Sequence, residues 1–384
     1  MNRNFVIRSG IIGTTVALAV GIWTAFGPSG LSQPNWGLHI VILDVGQADA
    51  IVMAAPNGQA AVIDAGHGST AAGRIAGFLS DEQANGVGDI DIVKLGFVTH
   101  YDLDHMGGIA KLIDDGIEIS SVYDQGPSWK RRGATRYIEY LAAVGDLNDN
   151  MIDDDDPDGN TFVRKKARVG LHWKLGDARV RCVSVRGDTK GRAYDDPNCD
   201  PVSSDVDENP GSIALLVTLG DFEFYTAGDQ TSDDWKHEEP DTEIAVVKSG
   251  VLGADNDVDV VKVSHHGSDT STGSAFVNAL DAEVGVISAK YSSRHKLPKM
   301  ISIKQLVDND ALVYITGDGH DPQTGTFAYS DHAEDDNYNP PEGTVFNEAG
   351  DVHIFVSPDG SRYRVLGGDT WREFSAVDSD NTRQ

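Results

Sequence analysis

Positively charged residues are scarce in this chain of 384 residues, which has 31 lysines and arginines against 60 aspartates and glutamates and a formal net charge of -29. A protein that grips nucleic acid through its phosphates needs a basic track, because counterion release supplies most of the sequence-independent affinity. No track of that kind is evident, which argues against a chain-wide nucleic-acid surface. A saline environment is an alternative cause of the acidity, since salt screens charge repulsion. The basic residues that do cluster lie beside Trp129, at Lys130, Arg131 and Arg132, with Arg164, Lys165 and Lys166 as a second group.

Cysteine is equally rare, with Cys182 and Cys199 as the only two. Neither belongs to a Cys-x-x-Cys pair or to a metal-ligand pattern, which argues against a thiol-based metal or redox site. One disulfide in an oxidising compartment and two independent free thiols both remain open.

Long apolar runs are absent apart from one near the N-terminus. Arg3 and Arg8 precede an uncharged stretch from Ser9 to Gly30 whose centre is apolar. This pattern predicts a signal peptide or signal anchor over residues 1–33, which would carry the remainder out of the cytoplasm, either secreted or anchored in the membrane. A buried helix is the alternative, but the stretch has no polar face. No other segment is long and apolar enough to span a membrane, which excludes a many-helix channel.

An acidic stretch at 153–159 matches the first half of a calcium loop, with oxygens at alternate positions and a glycine at the bend. The closing glutamate is missing, because Lys165 stands in its place. We therefore expect a solvated acidic loop, with calcium binding as the alternative.

Strand and helix patterns alternate along most of the chain and predict sheets faced by helices. Strand-like runs lie at 38–43, 50–54, 60–64, 92–98, 213–219 and 258–263, and helical patterns lie near 70–80, 106–115 and 271–280. The weaker periodicity of 123–210 predicts an insertion in a domain over 34–366, such as a lid or flap. Residues 367–384 are expected to form a polar tail.

The most informative residues follow the apolar run at 92–98, where the chain becomes polar abruptly, as a buried strand does on leaving a sheet. His100, Asp102, Asp104 and His105 place four potential metal ligands within six residues. Because alternate residues of an extended loop point the same way, the first three are expected to converge, and adjacent Asp104 and His105 to face a second centre. The pattern therefore predicts a binuclear hydrolase site. The glycine pair at 107–108 permits a close backbone approach.

A polar loop whose acids cap the next helix is the alternative. One carboxylate suffices for a cap, whereas two histidines and two aspartates exceed that need. Other strand ends carry similar residues: Asp229 follows a period-two strand, and His265 and His266 follow another apolar run. Their position at the ends of strands favours ligands over buried structural histidines.

Several further stretches accompany these donors in order. They are Leu-Asp-Val-Gly-Gln-Ala-Asp-Ala at 43–50, Ala-Val-Ile-Asp-Ala-Gly at 61–66, Asn209 with Ser212, Thr-Ala-Gly-Asp at 226–229, Val-Lys-Val-Ser-His-His-Gly-Ser at 261–268, and His295 in a later loop. Together they resemble the metallo-β-lactamase-fold hydrolases, and among them the hydrolase domain of the DNA-uptake protein ComEC. Most of that superfamily carries His-x-His-x-Asp-His, whereas ComEC-like domains carry His-x-Asp-x-Asp-His, as this chain does at 100–105.

The resemblance implies an α+β fold, a four-layer αββα sandwich, with two divalent metal ions at the strand ends. One ion is assigned to His100, Asp102 and Asp229, and the other to Asp104, His105, His265 and bridging Asp229. Asp104 and His295 are the candidate catalytic residues, His295 for protonating a leaving group or binding substrate. The residues expected behind the ligands or against substrate are Asp64, Asn209, Ser212, His266 and Ser268.

Asp102 in place of the usual histidine adds a charge and a hard oxygen donor, which moves the metal preference from zinc towards manganese or iron, with zinc still open. Two such ions hold a water between them, lower its pKa and stabilise charge on an attacked phosphoryl or carbonyl centre. We therefore expect an exported phosphodiesterase or nuclease that uses a metal-bridging hydroxide, with DNA as one candidate substrate and no protein partner. The alternatives are a hydrolase of small esters, lactones or lactams, and a non-catalytic binding protein on the same fold.

Overall fold

The computed structural model describes residues 36–81, 85–87, 89–90, 92–128, 130–146, 163–189, 208–232, 240–253, 256–330 and 335–376. The N-terminal segment 1–33, the acidic loop 153–159 and Cys199 lie outside these residues. Within the described ranges, no helix has the length and apolar character needed to cross a membrane.

The described strands and helices occur at most of the places that the periodicity indicates. The strands are β1 (Leu38–Ile42), β2 (Ala50–Ala54), β3 (Ala60–Ala65), β4 (Ile92–Phe97), β5 (Glu118–Ile119), β6 (Val122–Asp124), β7 (Arg164–Lys166), β8 (His172–Leu175), β9 (Ala178–Val185), β10 (Asp188–Thr189), β11 (Ala214–Leu219), β12 (Phe222–Thr226), β13 (Val260–Lys262), β14 (Val284–Ile287), β15 (Leu312–Ile315), β16 (Val345–Phe346), β17 (Val352–Val356), β18 (Arg362–Gly367) and β19 (Thr370–Ser375). The helices are α1 (Gly68–Ser80), α2 (Leu103–Met106), α3 (Ile109–Asp114), α4 (Thr135–Ala143), α5 (Thr242–Lys248), α6 (Ser274–Leu280) and α7 (Met300–Asp308), with a 3₁₀ turn at Ser264–Gly267.

The strands form two mixed sheets. The first has the order β19-β18-β17-β1-β2-β3-β4-β6-β7, with β5 beside β4, and the second has the order β10-β9-β11-β12-β13-β14-β15-β16, with β8 beside β9. Strands β3, β4, β6 and β7 run parallel, as do β12 to β16, so their carboxyl ends lie along one edge of each sheet.

Three apolar clusters account for the layers. One lies between the sheets and contains inward residues of both, such as Ile40, Ile63, Leu215 and Val286. The second joins the outer face of the first sheet to α1, α3 and α4, and the third joins the outer face of the second sheet to α5, α6 and α7. Because both faces of each sheet are covered, the central strands are continuous apolar runs rather than alternating ones. The predicted αββα sandwich is confirmed.

Two segments of the chain contain strands that the sequence patterns do not predict. The segment 123–210, expected as an insertion, supplies β7 to the first sheet and β8 and β9 to the second. Strand β9 alternates exposed and buried residues and carries Cys182 into the core, where burial raises the pKa of the thiol to about 12. The segment expected as a polar tail contains β19, whose exposed polar residues pair with β18 at the sheet edge.

A buried arginine ties part of this segment to the loop after β4. Arg164 donates from Nε to Asp124 Oδ2 at 2.6 Å and from Nη1 to Asp146 Oδ2 at 2.9 Å. Its Nη2 lies 3.2 Å from the hydroxyl oxygens of Tyr101 and Tyr137. Since Tyr101 belongs to the donor-rich loop, the arginine fixes that loop through a contact distant in sequence.

A pair of buried histidines lies between β1 and β17. His39 Nε2 and His353 Nδ1 are 3.0 Å apart, and the His39 ring stacks on Phe355 with centroids 4.1 Å apart. Burial, and then the neighbouring His353, lower the pKa of His39 well below its usual value, and burial lowers the pKa of His353. Both rings are therefore neutral in the folded protein near neutral pH.

These two histidines should make the fold sensitive to acid. The unfolded chain takes up a proton on each near pH 6.5 and the folded chain does not, so stability falls as the pH drops below about 6.5. We expect His39→Gln to reduce the slope of unfolding free energy against pH by up to about 1.4 kcal/mol per pH unit between pH 6.5 and 5. Urea unfolding at several pH values measures this slope. His172→Gln, at an exposed position of β8, is the matched control, and an equal slope in wild type and His39→Gln would refute the assignment.

Candidate metal centre

The donor residues meet where strand ends of both sheets approach each other. The loop of 99–102 leaves β4 of the first sheet, whereas Asp229 and His265 leave the parallel neighbours β12 and β13 of the second. A backbone hydrogen bond from Ile213 N to Thr99 O at 3.0 Å joins the two sides, and one from His265 N to Gly228 O at 3.0 Å joins the loops after β13 and β12. A Cβ on Gly228 would lie 2.5 Å from Thr99 Oγ1, so this approach requires glycine.

The glycine pair after the loop has the predicted role. A Cβ on Gly108 would lie 2.1 Å from Ala65 O, and one on Gly107 would lie 2.3 Å from Leu103 O. Asp102 occupies the N-cap position of α2, but its side chain makes no capping hydrogen bond. The helix-cap alternative therefore fails for this carboxylate.

Asp229 lies at the middle of the cluster, and its two oxygens face different histidines. Oδ2 lies 3.8 Å from His100 Nε2 and 3.7 Å from His265 Nε2. Oδ1 lies 3.2 Å from His105 Nε2 and 3.8 Å from His266 Nε2. Two ligands bound about 2.1 Å from one tetrahedral ion lie about 3.4 Å apart, so these separations are typical of ligands that share an ion.

Two aspartates complete the two sides. Asp102 Oδ2 lies 3.8 Å from His100 Nε2, and Asp104 Oδ2 lies 3.4 Å from His266 Nε2. The first donor set, which we call the Oδ2 side, consists of His100, Asp102, His265 and Asp229. The second, the Oδ1 side, consists of Asp104, His105, His266 and Asp229.

Each histidine is held through Nδ1, which leaves Nε2 directed into the cluster. His105 Nδ1 lies 2.8 Å from Asp64 Oδ2, and His266 Nδ1 lies 2.8 Å from the carbonyl oxygen of Ser288. Both partners are acceptors, so Nδ1 carries a proton and Nε2 is the nitrogen that a metal ion would use. The remaining two rings contact hydroxyls through Nδ1, His265 at Thr270 Oγ1 and His100 at Thr99 Oγ1 and Ser212 Oγ.

Several of these inward atoms are buried and lack a hydrogen-bond partner among the described residues. They include the Nε2 atoms of His100, His105 and His266 and the Oδ1 atom of Asp229. Buried polar atoms in folded proteins are nearly always paired, so a convergent set of unpaired donors needs an explanation. Divalent cations bound to these nitrogen and oxygen atoms would explain why the atoms converge without hydrogen-bond partners. Three groups of residues within the cluster have ligand atoms close enough together to hold an ion.

The charges of the cluster also favour cations. Burial alone would raise the pKa of Asp229, but the histidines around it, His105 first, lower it well below the usual range. Burial likewise opposes ionisation of Asp104, and the neighbouring rings of His266 and His105 outweigh it and lower the pKa. Burial, and then neighbouring His105, lower the pKa of His100 to about 4. The carboxylates are therefore ionised and His100 is neutral, which are the forms that bind metal.

The structure corrects the assignment of the consecutive histidines. His266, expected behind the ligands, lies with Asp104 and His105, whereas His265 lies with His100 on the Oδ2 side. Both residues have left-handed backbone angles, with φ of 48° and 53°. The expectation that neighbouring side chains point to opposite faces holds for extended backbone and does not apply to two left-handed residues.

Asp64, Ser212 and Ser268 contact the ligand residues from behind, whereas Asn209 lies beside the inward nitrogen of His265. Asp64, at φ 55°, accepts hydrogen bonds from Thr99 N at 2.8 Å and Thr99 Oγ1 at 2.6 Å besides its contact with His105. Ser212 Oγ accepts from Asp229 N at 3.2 Å. Asn209 Nδ2 lies 3.4 Å from His265 Nε2, and Ser268 Oγ lies 3.0 Å from the Thr270 hydroxyl that holds His265.

His295 is not brought to the cluster. Its side chain is exposed, and its described hydrogen bond runs from the backbone nitrogen to Ser292 Oγ at 3.3 Å. The same serine donates to Gln47 Oε1 at 3.0 Å. The expected role of His295 in catalysis thus has no contact in the described structure to support it.

The sequence analysis missed a buried ion pair beneath the centre. Lys262 on β13 donates to Asp49 Oδ2, and both side chains are almost fully enclosed. The other oxygen of Asp49 lies 3.4 Å from His266 Nδ1. A lysine within the mostly apolar run 258–263 was the available signal, because lysine is rarely buried without a partner.

Lys262→Met should be strongly destabilising. It would leave the Asp49 carboxylate buried without its counter-ion, which typically costs about 3–5 kcal/mol. Asp49→Asn combined with Lys262→Met removes both charges and should recover much of that loss. Urea denaturation measures the changes, with Lys304→Met on the exposed face of α7 as the control expected to change stability by less than about 0.5 kcal/mol. A Lys262→Met variant as stable as that control would contradict the assignment.

Comparison with known proteins agrees with this architecture. Residues 43–180 match the family model described as the metallo-beta-lactamase superfamily. A search of curated proteins gave no match.

Solved structures with similar chains include three named for this fold. They are the metallo-beta-lactamase fold protein YhfI from Bacillus subtilis (10% identity, 73% of this chain and 96% of that chain, TM-score 0.39), a metallo-beta-lactamase with a HARLDQ motif from Cronobacter sakazakii (19%, 52% and 63%, TM-score 0.30), and Tm1679, a metal-dependent hydrolase of the beta-lactamase superfamily (12%, 72% and 95%, TM-score 0.37). The family match over residues 43–180 and the two-sheet sandwich agree with a metallo-beta-lactamase fold.

Proposed function

We propose that this chain is a metal-dependent hydrolase that binds two divalent ions and cleaves phosphodiesters. The observation that carries the proposal is the division of donors between the two oxygens of Asp229, with His100 and His265 facing Oδ2 and His105 and His266 facing Oδ1. A single carboxylate between two sets of imidazoles is suited to bridging a pair of ions.

The protein's own residues would orient and restrain this centre. Two divalent ions bound there would supply an activated water and stabilise the charge that develops on the attacked phosphorus. Asp64 holds His105, Ser288 holds His266, and Ser212 holds both His100 and the backbone of Asp229. Asp104, the candidate catalytic carboxylate, lies partly exposed beside His266, where a substrate can reach it.

The motifs at 43–50 and 100–105 support a ComEC-like phosphodiesterase or nuclease over an ester or lactam hydrolase. Asp102 adds anionic character, which makes the centre a weaker Lewis acid and favours manganese, with zinc as the other candidate. The N-terminal pattern supports export, so we propose that the enzyme acts outside the cytoplasm, either secreted or anchored.

The proposed activity can be tested with three substrates, namely bis-p-nitrophenyl phosphate, single-stranded DNA and nitrocefin, each with manganese or zinc. We expect hydrolysis of the first, loss of activity with a chelator and recovery on adding metal. Asp229→Asn should reduce kcat/KM by more than about 100-fold, the upper range for residues that merely support a ligand. Asp115→Asn, on an exposed ion pair with Lys111, is the control and should keep full activity. Activity on nitrocefin alone would indicate the ester or lactam alternative, and no activity on any substrate would indicate a binding protein.

Asp64→Asn tests whether the residue behind His105 matters to the metal. An amide in place of the carboxylate weakens the hold on Nδ1, so we expect manganese or zinc affinity to fall about 10- to 100-fold. Isothermal titration calorimetry with the metal measures this affinity, and circular dichroism checks the fold. An affinity equal to that of Asp115→Asn would contradict the role given to Asp64.

A further inference from the structure

The donor cluster is enclosed on one side and open on the other. The side chains of His100, His105 and His266 are at most 1% exposed, whereas Asp102 is 34% exposed. Asp104 and His265, at 22% and 25%, lie on the same open rim. A substrate must approach the centre across this rim.

Arg131 is the arginine at this rim among the described residues. Its Nη2 forms an ion pair with Asp102 Oδ1, and its Nε lies 2.8 Å from Glu208 Oε2. Asp102 keeps its other oxygen on the His100 side, so the guanidinium and a bound ion do not compete for the same oxygen. Arg131 Nη1 makes no hydrogen bond or ion pair with another described residue.

Glu208 holds Arg131 in place. The Glu208 side chain is 6% exposed, and Ser128 Oγ donates to its Oε1. The same hydroxyl accepts a hydrogen bond from Arg131 N at 3.1 Å, and Gln125 Nε2 lies 3.4 Å from Glu208 O. The arginine is therefore anchored at two points before any substrate binds, which lowers the entropy lost on binding.

The centre is surrounded by negatively charged residues. The cluster contains Asp49, Asp64, Asp102, Asp104 and Asp229, in a chain of net charge -29. The proposed ions and Lys262 would offset part of this charge, and a cation at the rim would add a further favourable contact for an anionic substrate. Arginine stays charged at all relevant pH values, and its planar donors match phosphate oxygens.

We infer that Arg131 is the anion-recognition residue of this site, which binds a non-bridging phosphate oxygen of the substrate at the rim. The inference rests on the proposed phosphodiesterase function and adds a specificity determinant to it. It also gives a role to one member of the basic cluster at 130–132, which the overall acidity of the chain leaves unexplained.

The test compares Arg131→Gln with Arg136→Gln, which removes the same charge from an exposed pair on α4. Isothermal titration calorimetry measures the binding of manganese and then of inorganic phosphate to the manganese-loaded protein. We expect phosphate affinity to fall about 10- to 100-fold in Arg131→Gln, the usual range for a lost hydrogen bond to a charged group, with manganese affinity at or above that of wild type. Arg136→Gln should match wild type in both measurements.

Arg131→Lys keeps the charge without the planar arrangement of donors, so it should bind phosphate with intermediate affinity. It replaces Arg131→Gln in the test if that variant fails to fold. Phosphate affinity within twofold of wild type would overturn the inference. A parallel fall in manganese affinity would also overturn it, because Arg131 would then act by positioning Asp102. Kinetics with bis-p-nitrophenyl phosphate should show the loss mainly in KM. If wild type cleaves no phosphodiester while phosphate binding still depends on Arg131, the proposed function fails and the anion site stands.

Discussion

The burial of Asp229 is the constraint on which the rest of the site depends. An isolated carboxylate in the interior is costly unless polar partners surround it. Four imidazole rings do so in this protein, two beside each carboxylate oxygen. The Nε2 atoms of His100, His105 and His266 lack hydrogen-bond partners among the described residues, and divalent cations would pair with them and with the carboxylate together.

The two-sheet sandwich brings the ligand residues together at the ends of its strands. Both sheets are covered on their outer faces by helices and on their inner faces by each other, so polar side chains concentrate where strands end. Loops from the two sheets meet at that edge through a backbone hydrogen bond from Ile213 to Thr99, with Gly228 packed closely against Thr99. The Asp49–Lys262 pair joins the sheets directly beneath the centre.

The rigidity of the centre comes from partners that contact the ligands from behind. Asp64, Ser212, Ser288 and Thr270 occupy the Nδ1 atoms, which fixes ring orientation and, for His105 and His266, the position of the proton. Backbone strain adds to this, since Asp64, His265 and His266 adopt the left-handed conformation. Such strain persists only where the surrounding structure enforces it, and it concentrates at functional sites.

Local patterns in the sequence determined the strand-end donors, the sheets faced by helices and the need for glycine at 107–108, because apolar periodicity and abrupt polarity are properties of neighbouring residues. The two-sheet sandwich followed from the resemblance to a known family. They did not determine which oxygen of Asp229 each histidine faces, since that depends on backbone angles at 265 and 266. Contacts between residues distant in sequence could not be predicted either. These include Arg131 with Glu208, Asp49 with Lys262, and the pairing of β9 and β19 with strands of the sheets. Tertiary structure decided these points, because only the folded chain brings such residues within bonding distance.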